Sequence, residues 1–147
     1  MKRAVHYAAL SCALLTGCAS GPKPVAIENG LPPLSAGHAR IYIYRTSMTG
    51  GIAVEPGIDV NGQHAANCTP GGVYVADLPA GNYVLSVTTE VQRKLSFALD
   101  PGEEKFVRCY LSYGFFLGHG NLELVDPAAG RQDIKNLAEL RKQAATN

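Results

Sequence analysis

Histidine, cysteine and serine side chains are the first candidates for chemistry in this 147-residue chain. His64 and Cys68 lie four residues apart, and such a pair could bind a metal ion. However, the chain has no CxxC or HExxH pattern and no third ligand beside the pair, so we predict no metal site and no cofactor. Serines in predicted strands lack the G-x-S-x-G setting of a nucleophile: Ser86, Ser96 and Ser112. The sequence therefore predicts a protein that is not an enzyme.

Acidic side chains outside these patterns are expected to serve structure. Asp59 and Asp77 flank predicted turns, where such residues hydrogen-bond their own backbone. Residues 103–105, Glu-Glu-Lys, are expected to form a solvated charge cluster at a turn.

A cysteine near the amino terminus ends an apolar segment. Residues 1–3 carry two positive charges, and residues 4–15 are mostly apolar without an acid, which is the layout of a secretory signal. The segment is shorter than the about 20 residues that span a bilayer. A buried helix of the folded domain is the alternative. It is disfavoured because four prolines follow and would separate such a helix from any core: Pro22, Pro24, Pro32 and Pro33.

The segment Leu15-Thr16-Gly17-Cys18 resembles the bacterial lipobox. The resemblance implies that the Cys18 thiol is joined to diacylglycerol, that the signal is cut between Gly17 and Cys18, and that the new amino group is acylated, as with palmitate. Two or three acyl chains hold a protein durably, at about 0.8 kcal/mol per buried CH₂. Ala19 follows the cysteine, and by resemblance to Gram-negative lipoproteins this favours the outer membrane.

Three segments follow from this interpretation: a signal peptide at 1–17, a lipidated cysteine with a Pro/Gly-rich tether at 18–37, and a folded domain at 38–147. The whole chain has 13 Lys and Arg against 12 Asp and Glu, which predicts no nucleic-acid binding and no polybasic membrane patch. The absence of Trp and the presence of 16 Gly and 9 Pro are typical of a turn-rich β domain.

Short alternating segments separated by turns dominate the domain. Residues 39–45 alternate Ile with Tyr, and Asn61-Gly62 between extended segments indicates a hairpin. Residues 78–81 and 100–103 turn the chain between further alternating segments. This spacing predicts a mostly β protein, an antiparallel β-sandwich of about seven strands.

The period changes near the carboxyl terminus. In residues 130–145, Ile134, Leu137 and Leu140 recur at helical spacing, and Asp126-Pro127 fits a helix start. We expect one C-terminal amphipathic helix that packs across a sheet or covers an edge. A partner-binding tail is the alternative.

Two cysteines remain in the predicted domain, an even number in an oxidising compartment. A disulfide between Cys68 and Cys109 would close about 40 residues and contribute roughly 4 kcal/mol. Cys109 shares a strand face with Val107 and Leu111, so it is expected to point inward. Two buried free thiols are the alternative.

An aromatic run lies in the glycine-rich segment SYGFFLGHG, residues 112–120. Either it tucks under the sandwich, or it presents an apolar surface to a partner or to the membrane. Phe115, Phe116 and Leu117 are the candidate partner-binding residues. His119, between two glycines, is expected to be a solvated loop residue.

The order of five segments resembles the bacterial lipoprotein family of domain of unknown function twenty-eight-forty-six: ARIYIYR, IDVNGQHAANC, GVYVADLPAGNYVLSV, residues 99–106 and LELVDPAAG. The resemblance covers about residues 39–140. Its most specific part, Leu78 to Tyr83, is similar to turns of PEGA-like and transthyretin-like sandwiches, in which the aromatic residue packs over the turn. The family has no assigned activity, so the resemblance implies fold and location only, and the cysteine pair is not attributed to it.

These observations lead us to expect a membrane-anchored envelope lipoprotein that serves as a non-catalytic interaction or accessory module in the periplasm. Its partners would be the membrane, through acyl chains on Cys18, and an envelope protein. One alternative is a scaffold of an envelope or secretion apparatus, as in transthyretin-like lipoproteins of type VI secretion. Another is a small-ligand binder with a closed apolar pocket. A hydrolase is disfavoured because no nucleophile–base set is present.

Overall fold

The computed structural model describes residues 31–47, 54–116, 118–135 and 137–140. The expected signal peptide, Cys18 and its cleavage site, most of the tether and Leu117 lie outside the described residues. No helix in these ranges is long and apolar enough to cross a membrane.

Nine strands and one helix make up the described part of the chain: β1 (His38–Tyr44), β2 (Gly57–Val60), β3 (Gln63–Asn67), β4 (Gly72–Pro79), β5 (Gly81–Thr88), β6 (Gln92–Leu99), β7 (Glu104–Ser112), β8 (His119–Val125), α1 (Pro127–Ile134) and β9 (Ala138–Leu140). They form a five-stranded sheet in the order β8-β7-β1-β4-β9 and a four-stranded sheet in the order β3-β2-β5-β6. The predicted β-sandwich is confirmed.

The five-stranded sheet is mixed, which corrects the expectation of a purely antiparallel fold. β1 is parallel to β7, and β4 is parallel to β9, while the other pairs are antiparallel. The cause lies in two of the predicted turns, at residues 78–81 and 100–103. Each carries the chain from one sheet to the other, so strands adjacent in sequence are not paired there.

Local turn chemistry agrees with the structure elsewhere. Asn61 and Gly62 have φ of 49° and 79° and join β2 to β3, as expected of a two-residue hairpin. The Tyr83 hydroxyl donates to the Pro79 carbonyl at 2.8 Å, so its ring packs over the β4–β5 connection. This contact explains why an aromatic residue follows that turn.

The core lies between the sheets and is formed by the inward residues of both, among them Ile41, Ile58, Leu85 and Val107. Cys68 follows β3 and Cys109 lies in β7, and the two form a disulfide with a Cα–Cα distance of 6.1 Å. The disulfide therefore links the two sheets through the core. Cys109 points inward as predicted, and the free-thiol alternative is wrong.

The helix differs from its predicted range. It begins at Pro127, where the Asp126 carboxylate accepts from the amide of Ala128 at 2.9 Å, and it ends at Ile134. Leu137 and Leu140 are not helical, because β9 follows and pairs with the main chain of residues 72–74 at the edge of β4. Hydrophobic residues at every third position are compatible with a helix or with a short strand. Here the free edge of β4 favours the strand, because β9 can pair with it.

The helix packs against the outer face of the five-stranded sheet and makes β1 buried on both faces. We call this the helix-covered face; its buried residues are Tyr42, Tyr44, Val73, Phe106, Ile134 and Leu137. Helix α1 therefore packs across one sheet, as predicted.

Candidate binding site at one end of the sandwich

The aromatic loop, residues 113–116 between β7 and β8, lies at one end of the sandwich. Residues 31–37 reach the domain at the opposite end, because they lead into His38 at the start of β1. β7 runs parallel to β1, so Ser112 at its end and the aromatic loop lie at the far end. At the end where β1 begins, the Ala80 amide donates to the Gly37 carbonyl and the Gly102 amide donates to the His38 carbonyl. These hydrogen bonds hold the start of β1 in place.

The side chains of the aromatic loop are exposed to solvent. Tyr113, Phe115 and Phe116 have relative exposures of 102%, 87% and 83%. The two phenylalanine rings meet edge to face, with centroids 4.7 Å apart. The expectation that this run tucks under the sandwich is therefore wrong, and the alternative of a presented apolar surface holds for the described loop residues.

The main chain of the aromatic loop is held by one carboxylate. Glu90, in the β5–β6 turn, accepts from the amides of Phe115 at 3.1 Å, Phe116 at 2.6 Å and Gly118 at 3.2 Å. Backbone amides that converge on one point bind an anion, and here the anion is the protein's own carboxylate. The backbone is thus anchored while the rings point away from the domain.

Glycine is required inside the loop because the chain crosses itself closely. A Cβ on Gly114 would lie 2.6 Å from the Cα of Gly118, and Gly118 has φ +83°. No other residue fits Gly114 without moving the loop. The glycines that mark this segment in the sequence therefore shape the loop.

His119 is not the solvated loop residue that the sequence suggested. It is the first residue of β8, its side chain is 31% exposed, and its Nε2 lies 3.6 Å from Glu90 Oε2. Beside it, Thr89 Oγ1 accepts from the Gly120 amide at 3.0 Å. Both contacts join the base of the aromatic loop to the β5–β6 turn, and no sequence pattern indicated either of them.

Exposed phenylalanines are costly in water, and their burial drives association. Full burial of one such side chain contributes about 1.5–3 kcal/mol. Contiguous exposed apolar side chains of this kind mark interaction sites on soluble domains. Exposed aromatic side chains of this kind are therefore suited to a binding contact.

The candidate metal pair does not form a site. Cys68 is in the disulfide, and His64 Nδ1 lies 3.6 Å from Asp59 Oδ1. Over the described ranges, no group of three or more His, Cys, Asp or Glu side chains is placed to hold a metal ion. Ser86, Ser96 and Ser112 lie in β5, β6 and β7.

Asp59 and Asp77, expected to bond their own backbone beside turns, lie in strands, where their carboxylates contact His64 and Arg40. Asp77 accepts two hydrogen bonds from the Arg40 guanidinium, at 2.5 and 2.7 Å. The Arg40 hydrogen bond holds the pKa of Asp77 below its usual value. The pair lies in the five-stranded sheet, where β1 and β4 place Arg40 opposite Asp77. Its role is structural.

Residues 103–105 are only partly the solvated cluster that was expected. Glu103 pairs with Lys105, but Glu104 is half-buried and accepts from the Tyr42 hydroxyl at 2.8 Å and from Arg131. Burial raises the pKa of Glu104, and the hydrogen bonds from Arg131 and Tyr42 outweigh it, so the net shift is downward. Burial and the contact with Glu104 raise the pKa of Tyr42 to about 12.

Comparison with known proteins gives two matches. The family described as protein of unknown function (DUF2846) matches residues 35–120. An uncharacterized protein of Haemophilus influenzae is 26% identical over 129 residues, covering 84% of this chain and 76% of its own. The family match includes β1 to β7 and the aromatic loop, and ends before α1.

Proposed function

The chain belongs to the DUF2846 family of proteins of unknown function, and we propose that its sandwich is a non-catalytic binding module. In this proposal it is held to the outer membrane by acyl chains on Cys18 and faces the periplasm. The aromatic loop is the surface with which it binds an envelope protein. The observation that carries the proposal is the loop itself, an exposed aromatic cluster on a main chain fixed by Glu90.

Membrane attachment is supported by the sequence at residues 1–18, where a charged start, an apolar segment and Leu15-Thr16-Gly17-Cys18 follow in order. Acylation of Cys18 would place the lipid upstream of β1. Residues 18–30 can span at most about 45 Å when extended. The anchor would therefore join the domain at the end where β1 begins.

The placement of the aromatic loop suits a partner away from the anchor. β7 has nine residues, so the sandwich is about 30 Å long between its two ends. An anchor at the β1 end leaves the aromatic loop free to project from the membrane. A fixed backbone also lowers the conformational entropy lost on binding, which favours affinity.

The anchor is tested by expressing the chain and its Cys18→Ser variant in a Gram-negative host. We expect wild-type protein to begin at Cys18, to carry acyl chains by mass spectrometry and to partition into detergent. The Cys18→Ser variant should lose all three properties. Wild-type protein that begins upstream of Cys18, or that stays in the aqueous phase, would contradict the anchor.

The binding surface is tested separately by a Phe115→Ser, Phe116→Ser double variant of the anchored protein. Partners recovered after chemical cross-linking in cells should be lost with this variant and retained with Val84→Ser. Val84 is a suitable control because it is 38% exposed and lies on β5, outside the loop. Equal recovery by both variants would exclude the aromatic loop as the binding surface.

A further inference from the structure

A cavity of about 200 Å³ opens between the two sheets, beside the edge strand β3 and the part of β4 that lies beyond its pairing with β9. Its apolar wall is formed by Val60, Ala65, Ala76 and Leu78. Two causes explain the space. Alanines occupy inward positions on both strands, and β9 extends the sheet only beside residues 72–74, which leaves the rest of β4 uncovered by a described strand.

One wall residue has an unusual hydroxyl. Tyr74 is 8% exposed, yet its hydroxyl has no hydrogen-bond partner among the described residues. The other buried tyrosines differ, since Tyr42 and Tyr44 donate to Glu104 and Asp133. No fully buried side-chain polar atom in the described ranges lacks a partner. The Tyr74 hydroxyl is therefore accessible, and the cavity that it lines is where it can meet an acceptor.

The cavity favours an uncharged occupant. No Lys, Arg, Asp or Glu lines it, and His64 at its rim has Nδ1 toward Asp59. Gln63, also at the rim, adds an uncharged amide. Burial raises the pKa of Tyr74, so its hydroxyl remains a hydrogen-bond donor at neutral pH. A hydroxyl donor in a cavity that no charged side chain lines suits a neutral acceptor, because a charged ligand would be desolvated there without compensation.

We propose that this cavity binds a small, neutral, amphipathic molecule whose oxygen accepts a hydrogen bond from Tyr74. The apolar part of the ligand packs against Val60, Ala76 and Leu78. An apolar cavity of about 150 Å³ holds benzene, with its six non-hydrogen atoms, so this cavity of about 200 Å³ has room for about eight. The site is separate from the aromatic loop and does not depend on the proposed partner.

The test uses acetophenone and α-methylstyrene, two probes of the same shape that differ in having a carbonyl oxygen or a methylene group. Binding to the purified full chain is followed by the NMR shifts of the Ala65 and Ala76 methyl groups. We expect both signals to move with acetophenone, and Tyr74→Phe to weaken acetophenone binding about five- to tenfold. The affinity for α-methylstyrene should stay unchanged in Tyr74→Phe.

A second variant tests the cavity itself without changing the Tyr74 hydroxyl. Ala76→Leu fills the cavity and should abolish the shifts of Ala65 for both probes, while the loop variant Phe115→Ser, Phe116→Ser should bind them as wild type does. The proposal is overturned if acetophenone moves neither methyl signal up to its solubility limit. It is also overturned if Tyr74→Phe binds acetophenone as tightly as wild type. If Ala76→Leu does not fold, the Tyr74→Phe comparison decides alone.

Discussion

Two groups of aromatic residues in this sandwich have opposite environments. On the helix-covered face, the rings of Tyr42 and Phe106 stack with centroids 4.5 Å apart. The hydroxyls of Tyr42 and Tyr44 both donate to carboxylates. In the aromatic loop, the rings are exposed, and the main-chain amides of Phe115 and Phe116 donate to Glu90. The first group uses its side chains for stability, whereas the second leaves them available for contact.

The difference extends to the charged residues around each group. Arg131 lies over the Phe106 ring at 5.6 Å and pairs with Glu104, and Arg108 pairs with Glu123 and contacts Asp133. These pairs join α1 to β7 and β8. At the loop, Glu90 binds backbone amides, so the charge fixes the chain and leaves the aromatic rings uncovered.

The largest expected effect comes from Phe106→Ala. Loss of this fully buried ring should lower the free energy of unfolding by about 3–5 kcal/mol, because a cavity forms between β7 and α1. Denaturant unfolding measures the change, with Phe116→Ala as the matched control at an exposed ring. Similar losses for the two variants would remove the distinction between the groups.

A smaller effect is expected from Gly130→Ala in α1. A Cβ there would overlap the Phe106 side chain, so the helix must shift, at about 1–3 kcal/mol. Alanine normally stabilises a helix relative to glycine, so a loss of stability is diagnostic. In a Phe106→Ala background, which removes Cγ and Cδ1 of the ring, the loss should shrink. An unchanged loss in the double-mutant cycle would show that the two residues do not meet.

The ion pair between Arg40 and Asp77 should make the free energy of unfolding depend on pH. The pKa of Asp77 is held below its usual 3.8 by Arg40, so the pair stabilises the fold above pH 3.8. Its contribution is lost as the pH falls through the lower folded-state pKa. Asp77→Asn should cost about 1 kcal/mol at neutral pH, and the difference from wild type should diminish below pH 3.8. A difference that is constant from pH 7 to pH 2 would contradict this pairing.

The smallest expected effect on stability is at the aromatic loop. Phe115→Ser should change the free energy of unfolding by less than about 0.5 kcal/mol, since the ring is exposed and the amide to Glu90 remains. Thermal unfolding checks this. A loss above about 1 kcal/mol would mean that the ring packs on the domain.

Local patterns predicted much of the fold. Alternation marked the strands, Asn61-Gly62 marked a hairpin, and the cysteine pair marked the disulfide. Parallel pairing of β1 with β7 depends on residues far apart in sequence, which alternation does not encode. The Tyr residues of β1 are buried by residues distant in sequence, among them Phe106 of β7 and Ile134 of α1, which alternation does not encode either.

The residues of the candidate site could be predicted from the sequence, but their exposure could not. The sequence identified Phe115 and Phe116, but a short aromatic run between glycines is compatible with either burial or exposure. The deciding contact is Glu90, in a turn more than twenty residues away, with the loop amides. No sequence pattern indicated the cavity between the sheets, because Ala65 and Ala76 come to line the same space only when the two sheets pack.

The central claim is that this domain binds an envelope partner through its aromatic loop. Photo-cross-linking in intact cells tests it most directly, with a photoreactive phenylalanine analogue placed at Phe116 or at Val84. The account predicts a discrete adduct of defined mass from position 116 and none from position 84. An adduct from both positions alike, or from neither, would contradict it.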